Sequence, residues 1–285
     1  MRLGPIGIWS PAFRGDTPEV IEAARELEDM GFGALWLPGG MGGDVFGPCE
    51  RLLTATGHVV VATGILNIWA HEPSEVAEAV RRLEATFPDR FLLGLGVSHA
   101  PLVERLGGRY EHPYEAMVGY LDALDRAPTP VAPAQRALAA LGPRMLELAR
   151  ERTAGAHPYL VTPEHTRFAR EVLGPGPLLA PEVKVVLDRD ATRARAVARQ
   201  HLAIYLGLPN YTNNLRRFGF GDDDIADGGS DRLVDAVVAW GDGPVVAARV
   251  REHLDAGADH VCIQLLTDGP AIPSAGWREL AAAVL

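Results

Sequence analysis

The stretch VVVATGILNIWAHEPSEVAEAVRRLEATFPDRFLLGLGV, residues Val59 to Val97, carries the fold. It opens on Val59–Thr63, a short run that is apolar on both faces. It passes a glycine turn and enters Pro73–Phe87, where Val76, Ala79, Val80, Leu83 and Phe87 form one stripe at helical spacing. It closes on a second apolar run, Phe91–Val97. A strand, a helix and a strand, with both strands apolar on either side, predict parallel pairing in a sheet covered on both faces.

The same unit recurs in both directions along the chain. Upstream, Ile6–Trp9 reads as a strand. Thr17-Pro18-Glu19 opens a helix as N-cap, first-turn proline and first-turn acid, and Gly31 stops it. Ala34–Leu37 is the second strand, followed by a helix over Glu50–Gly57. Downstream come a helix over Tyr114–Asp125, a strand over Arg136–Leu141 and a helix over Pro143–Arg152. Strand six is read at His157–Val161, with its helix at Glu164–Val172. Strand seven is read at Val183–Leu187, with a long helical region from Ala191. Val245–Ala256 is a helix, Asp259–Leu265 the eighth strand and Trp277–Val284 the last helix. Eight β-then-α units in 285 residues predict a TIM-type (β/α)₈ barrel, one domain over residues 1–285. Leu206–Asp235 fits the pattern least. It is expected as an insertion between strands seven and eight that helps wall a pocket.

Composition narrows the function. Hydrophobic residues make up 47% of the chain, enough for a large core, and the net charge is −10. A negative surface argues against nucleic acid, whose phosphates need a basic one. No run reaches the roughly 18 apolar residues of a membrane span, and the start reads as no signal peptide, so the expectation is a cytoplasmic protein. Cys49 and Cys262 lack metal-ligand spacing and read as buried fillers. The histidines form no metal pair, so no metal site is expected. Lys184 is the only lysine, and it falls in a strand.

A TIM barrel keeps its site at the C-terminal ends of the strands. The residues there are Trp9-Ser10-Pro11, Pro38-Gly39-Gly40-Met41, Gly64–His71, Gly94–His99, Leu141–Arg144 and Thr162-Pro163-Glu164. Glycines, aromatics and histidines gather at this rim while paired carboxylates are absent. Such a site suits redox chemistry in which a bound cofactor supplies the reactivity and the protein supplies orientation.

Leu35-Trp36-Leu37-Pro38, Ala62–Asn67, Glu72-Pro73, Arg90–Gly96 and Ala139–Leu146 stand in an order that resembles the luciferase-like monooxygenase superfamily, and within it the branch of coenzyme F420-dependent oxidoreductases. The resemblance spans nearly the whole chain. It implies a strand-three bulge with a non-proline cis bond at Gly64-Ile65 behind the cofactor ring. Asn67 would sit beside the ring, with Gly96 and Val97 at its edge. Leu141, Gly142, Pro143, Arg144, His157, Tyr159 and Thr162 would hold the phosphate and tail. Helix starts at Pro143 and Pro163 suit a phosphate through their unpaired N–H groups. Arg136 and Arg144 would favour an acidic tail. Trp9, Trp36 and Pro38 would meet the substrate. His71 and His99 are the candidate acid–base residues. Gly39-Gly40 stand where relatives carry an acid or a histidine.

Three functions stay open. One is hydride transfer between F420 and a small organic substrate. The second is an FMN-dependent monooxygenase, which needs a reductase partner and oxygen. The third is a cofactor-binding barrel without catalysis. The resemblance also implies a homodimer.

Overall fold

Ten parallel strands curl into one sheet in the computed structural model, which describes residues 1–269 and 271–285. The first half of the chain runs β1 (Ile6–Trp9), α1 (Pro18–Met30), β2 (Ala34–Gly39), α2 (Phe46–Ala55), β3 (Val60–Asn67), α3 (Pro73–Thr86), β4 (Phe91–Gly96), α4 (Ala100–Arg105), α5 (Pro113–Asp125) and β5 (Arg136–Leu138). The second half runs α6 (Pro143–Arg152), β6 (Gly155–Ala156), α7 (Pro163–Leu173), β7 (Leu178–Leu179), β8 (Glu182–Val186), α8 (Ala191–Leu206), α9 (Pro209–Arg217), α10 (Asp222–Ile225), α11 (Asp231–Val237), β9 (Val238–Trp240), α12 (Gly243–Asp255), β10 (Val261–Leu265) and α13 (Ser274–Val284). Strand order is β7-β6-β5-β4-β3-β2-β1-β10-β8-β9.

The seventh strand of the barrel is split. Pro181 has no N–H to give the ladder, so the strand divides into β7 and β8. The ring still closes across the break. Ala180 N–H donates to Ala156 O and Glu182 N–H to Pro158 O on one side. On the other, Asp259 N–H donates to Leu179 O and Cys262 N–H to Pro181 O. The expected sixth strand, His157–Val161, is the largest correction. β6 holds only Gly155–Ala156, because Pro158 lacks a donor and Leu160 takes a left-handed φ of 57°. The fifth strand likewise ends at Leu138 rather than Leu141. α4 and β9 have no counterpart in the sequence reading. Between β8 and β10 the chain places α8 to α11, β9 and α12, and β9 pairs with β8.

Alternation along the strands separates two cores. Leu35, Leu37, Val61 and Leu93 face the helices, while Ala34, Trp36, Val60, Ala62 and Leu92 face the barrel interior. The interior is filled by one stack. Trp36 lies on the His157 ring at 4.2 Å and 17°. Its Nε1–H donates to His260 Nε2 at 3.1 Å, and His260 Nδ1–H donates to Gly4 O at 2.8 Å. Gly7 makes room for this stack, since a Cβ there would stand 2.7 Å from the His260 ring.

Candidate functional site

β3 is pushed out of register with both neighbours near its C-terminal end. Gly64-Ile65 lies in that irregular stretch and is a cis peptide bond, as the resemblance implied. Trp9 Nε1–H donates to Gly64 O at 3.0 Å and ties the end of β1 to the turn. Glycine is required there by close packing: a Cβ on Gly64 would stand 2.6 Å from Trp9 Nε1. A Cβ on Gly96 would likewise stand 2.6 Å from the Ile65 side chain.

The turn walls a cavity of about 220 Å³ at the C-terminal rim. Of the residues anticipated from the sequence, Trp9, Pro38, Gly64, Ile65, His99, His157 and Tyr159 line it. Gly96, Val97 and Leu141 line an adjoining cleft of about 80 Å³ that shares Ile65, His99 and Tyr159 with the cavity. Among the described residues, no Asp, Glu, Lys or Arg lines either space.

His99 Nδ1 meets Asn210 Oδ1 at 3.1 Å, and burial lowers its pKa, so the imidazole is held neutral near pH 7. His157 is 1% exposed, and burial pushes it down to about 4. Its Nδ1–H donates to Ala180 O at 2.7 Å, which leaves Nε2 as a bare acceptor with no partner. Ser98 Oγ is also buried without a partner, on a residue with a left-handed φ of 57°.

Other anticipated residues stand apart from the cavity. Asn67 is fully buried; its amide donates to Gly40 O at 3.2 Å and accepts from Trp69 N–H at 3.1 Å. It ties the loop after β2 to β3 and does not meet the cavity. His71 is half-buried near Arg14, Glu75 and Asp44, outside the cavity lining. Trp36 lies one layer below, in the interior stack. Gly142 caps α6 and Pro143 opens it. Arg144 points to the surface, over the Tyr114 ring and beside Glu115. Thr162 caps α7, accepting from His165 N–H at 3.4 Å. Arg136 starts β5 at the opposite end of the barrel and pairs there with Asp125 at 2.5 Å, so it cannot serve a cofactor tail. Arg217, from α9, instead lies 3.8 Å from where a Gly142 Cβ would be.

The segment expected to help wall the pocket does so, but its wall begins earlier than Leu206, and none of its lining residues was anticipated individually. α8 and the start of α9 supply Ile204, Tyr205, Leu208 and Tyr211. Behind Tyr159 and Tyr205 sits a buried polar chain. Lys184 Nζ donates to Glu182 Oε1 at 2.9 Å and to Gln264 Oε1 at 3.4 Å, and lies 3.6 Å from the Tyr159 ring centroid. Tyr159 Oη–H donates to Gln264 Oε1 at 2.8 Å and meets Tyr205 Oη at 2.9 Å. Burial raises the Glu182 pKa and lowers that of Lys184, and each partner opposes the other's shift. The signal for this pair was present in the sequence. Residues 182 and 184 share one face of a strand, so a lone lysine two positions after a glutamate marks an ion pair.

A family model described as luciferase-like monooxygenase matches residues 5–260. A Mycobacterium tuberculosis protein named as a coenzyme F420-dependent oxidoreductase is 30% identical over 124 residues. That match covers 43% of this chain and about a third (35%) of the relative's length. An F420-dependent secondary alcohol dehydrogenase, solved with an F420-acetone adduct, superposes with a TM-score of 0.76 at 15% identity, covering 99% of this chain and 98% of that one. The oxygenating constituent of 3,6-diketocamphane monooxygenase from Pseudomonas putida, solved with FMN, superposes with a TM-score of 0.64 at 14% identity, covering 98% and 96%. At these identities the two structures establish a shared fold.

Proposed function

The chain belongs to the luciferase-like monooxygenase family, and we propose that it is an oxidoreductase that binds coenzyme F420 against the Gly64-Ile65 turn and exchanges a hydride with a small organic substrate. One observation carries this reading: an uncharged cavity, walled by that turn, opens into a cleft running along Gly96 and Val97 to Leu141. Glycines at 64 and 96 keep both walls flat where a side chain would intrude. The start of α6 at Gly142, with Arg217 beside it, suits an acidic phosphate and tail. The named F420-dependent relative supports the choice of cofactor.

When bound, F420 supplies a ring that takes or gives a hydride. The chain's part is to hold that ring, exclude water with Ile204, Leu208 and Met41, and manage a proton. His99 is the residue for that role, being neutral, at the cavity wall and oriented by Asn210. We assign the homodimer implied by the resemblance to the same proposal; light scattering checks it.

Titration of the purified protein with F420 and with FMN, followed by fluorescence, tests the reading. Micromolar binding of F420 is expected. Tight binding of FMN alone makes the protein an FMN-dependent monooxygenase, in need of a reductase and oxygen. Binding of neither leaves a barrel without cofactor chemistry.

A further inference from the structure

The two most exposed large apolar side chains among the described residues are Met41, 68% exposed, and Ile204, 69% exposed. They come from different elements, the turn after β2 and the last part of α8, yet both line the opening of one cavity. Apolar side chains scattered singly over a surface need no explanation, but two that converge on one opening do. Met41 does not ride on a slack loop. The carbonyl before it, Gly40 O, accepts from Asn67 Nδ2–H, and the carbonyl after it, Gly42 O, accepts from Arg14 Nη2–H, each at 3.2 Å. Ile204 stands on α8, a helix of 16 residues. Fixed backbone therefore holds both side chains at the opening. Gly40 lines the same opening, and a Cβ built on it would meet no atom within 4 Å. Gly64 and Gly96 are bare because neighbours crowd them, whereas Gly40 is bare beside open space. The result is an empty slot with two apolar side chains at its rim.

The space behind the slot measures about 220 Å³. Sites that take a single drug-sized ligand run to roughly 300–1,000 Å³. A three-ring cofactor on the Gly64-Ile65 turn uses what is there, and the substrate lies outward of it. We propose that Gly40, Met41 and Ile204 form a specificity-determining subsite, outside the cofactor's seat, that grips an uncharged aliphatic arm of the substrate. The inference rests on the reading above for what fills the space behind the slot. An arm lying in the slot removes Met41 and Ile204 from water along with its own methylenes, which supplies the affinity. The unbranched Met41 side chain adapts to the shape of the arm. A charged arm finds no partner, since no Asp, Glu, Lys or Arg among the described residues lines the cavity.

The test follows N-alkylacetamides, from N-methyl to N-hexyl, binding to the F420-loaded full chain by ligand-observed NMR. These probes are uncharged and differ only in the length of the arm. Affinity should rise about threefold per added methylene. Gly40→Val fills the slot without touching a neighbour; it should flatten that rise and cut N-hexylacetamide binding about tenfold, leaving N-methylacetamide unchanged. Ile204→Ser and Met41→Ser should each cut N-hexylacetamide binding about threefold. Octanoate, matched to N-hexylacetamide in heavy atoms, should bind at least about tenfold more weakly. Melting temperatures read alongside should match the wild type; if one variant melts lower, the other two decide. No rise with arm length in the wild type overturns the inference, and so does a rise that survives Gly40→Val, or octanoate binding as tightly as the amide. Failure of F420 to bind sinks the cofactor reading alone. The amides are then titrated into the cofactor-free chain, where the variants should still weaken the longest ones, and an unchanged affinity overturns the subsite. A chain that binds F420 but shows a rise indifferent to all three variants sinks only this inference.

Discussion

Asn67 has both ends of its amide tied to backbone, at Gly40 O and Trp69 N–H, with no exposure to solvent. Removing it leaves two part-buried backbone groups unpaired and frees the Gly40-Met41 loop that forms the cavity's lip. Asn67→Ala should therefore cost about 1–3 kcal/mol and lower the melting temperature; a shift of under a degree contradicts the strut role. Position after a strand made His99 legible in the sequence as a rim residue, because residues just after barrel strands face the mouth. His157 and Tyr159, read as part of the sixth strand, were pointed to by the family resemblance alone. Asn67 occupies an equally suggestive position. Whether its amide turns to a ligand or to a neighbouring loop depends on the course of that loop, which local pattern does not encode. His71 stays off the cavity for a similar reason, held at the start of α3, where its carbonyl accepts from Tyr120 Oη–H at 3.0 Å.

At the scale of elements, the split seventh strand needs support at its start. Arg170 supplies it from α7: its guanidinium donates to Gly257 O, Gly174 O and Pro177 O, each at 2.9 Å, and to Asp259 at 2.5 Å. It thus joins the end of α7, the approach to β7 and the approach to β10. Arg170→Ala should cost about 2–3 kcal/mol, and Arg170→Lys should recover little, since a lysine lacks the planar fork. Urea unfolding of both variants measures this. The β-then-α rhythm was legible because apolar runs and amphipathic stripes repeat at their own periods. The ends of strands five and six were not. There, backbone groups keep bonding to barrel neighbours after the residues leave strand geometry, as His157 N–H does to Leu138 O. The α8–α9 wall was expected in outline only. Its two tyrosines reach the cavity because the chain turns between helices at Gly207-Leu208, a tertiary event.

Across the whole molecule, four histidines are shut away from water. His157, His165 and His260 are pushed by burial to about 4, and His253 to about 3. Unfolded, each titrates near 6.5. Below that value the unfolded chain binds protons that the folded chain refuses, so stability is full above about pH 7 and falls as pH drops toward the folded values. Each histidine contributes a slope of up to about 1.4 kcal/mol per pH unit. The melting temperature should be flat from pH 8 to 7 and fall steeply between 6.5 and 5, more steeply than one proton explains. A flat profile down to pH 5 means these rings do titrate in the fold. We also propose that residues 1–285 unfold as one unit, since Trp36, His157 and His260 join β2, the end of β6 and the approach to β10 in a single stack. Calorimetry should record one transition across that pH range.

The buried lysine has a practical side. Lys184 is 1% exposed, and no other side chain carries a primary amine. An acylating dye can reach it only while the barrel wall is breached, so the rate of its modification is a stopwatch for rare openings of β8. The molecule carries its own reporter of breathing, with no engineered tag.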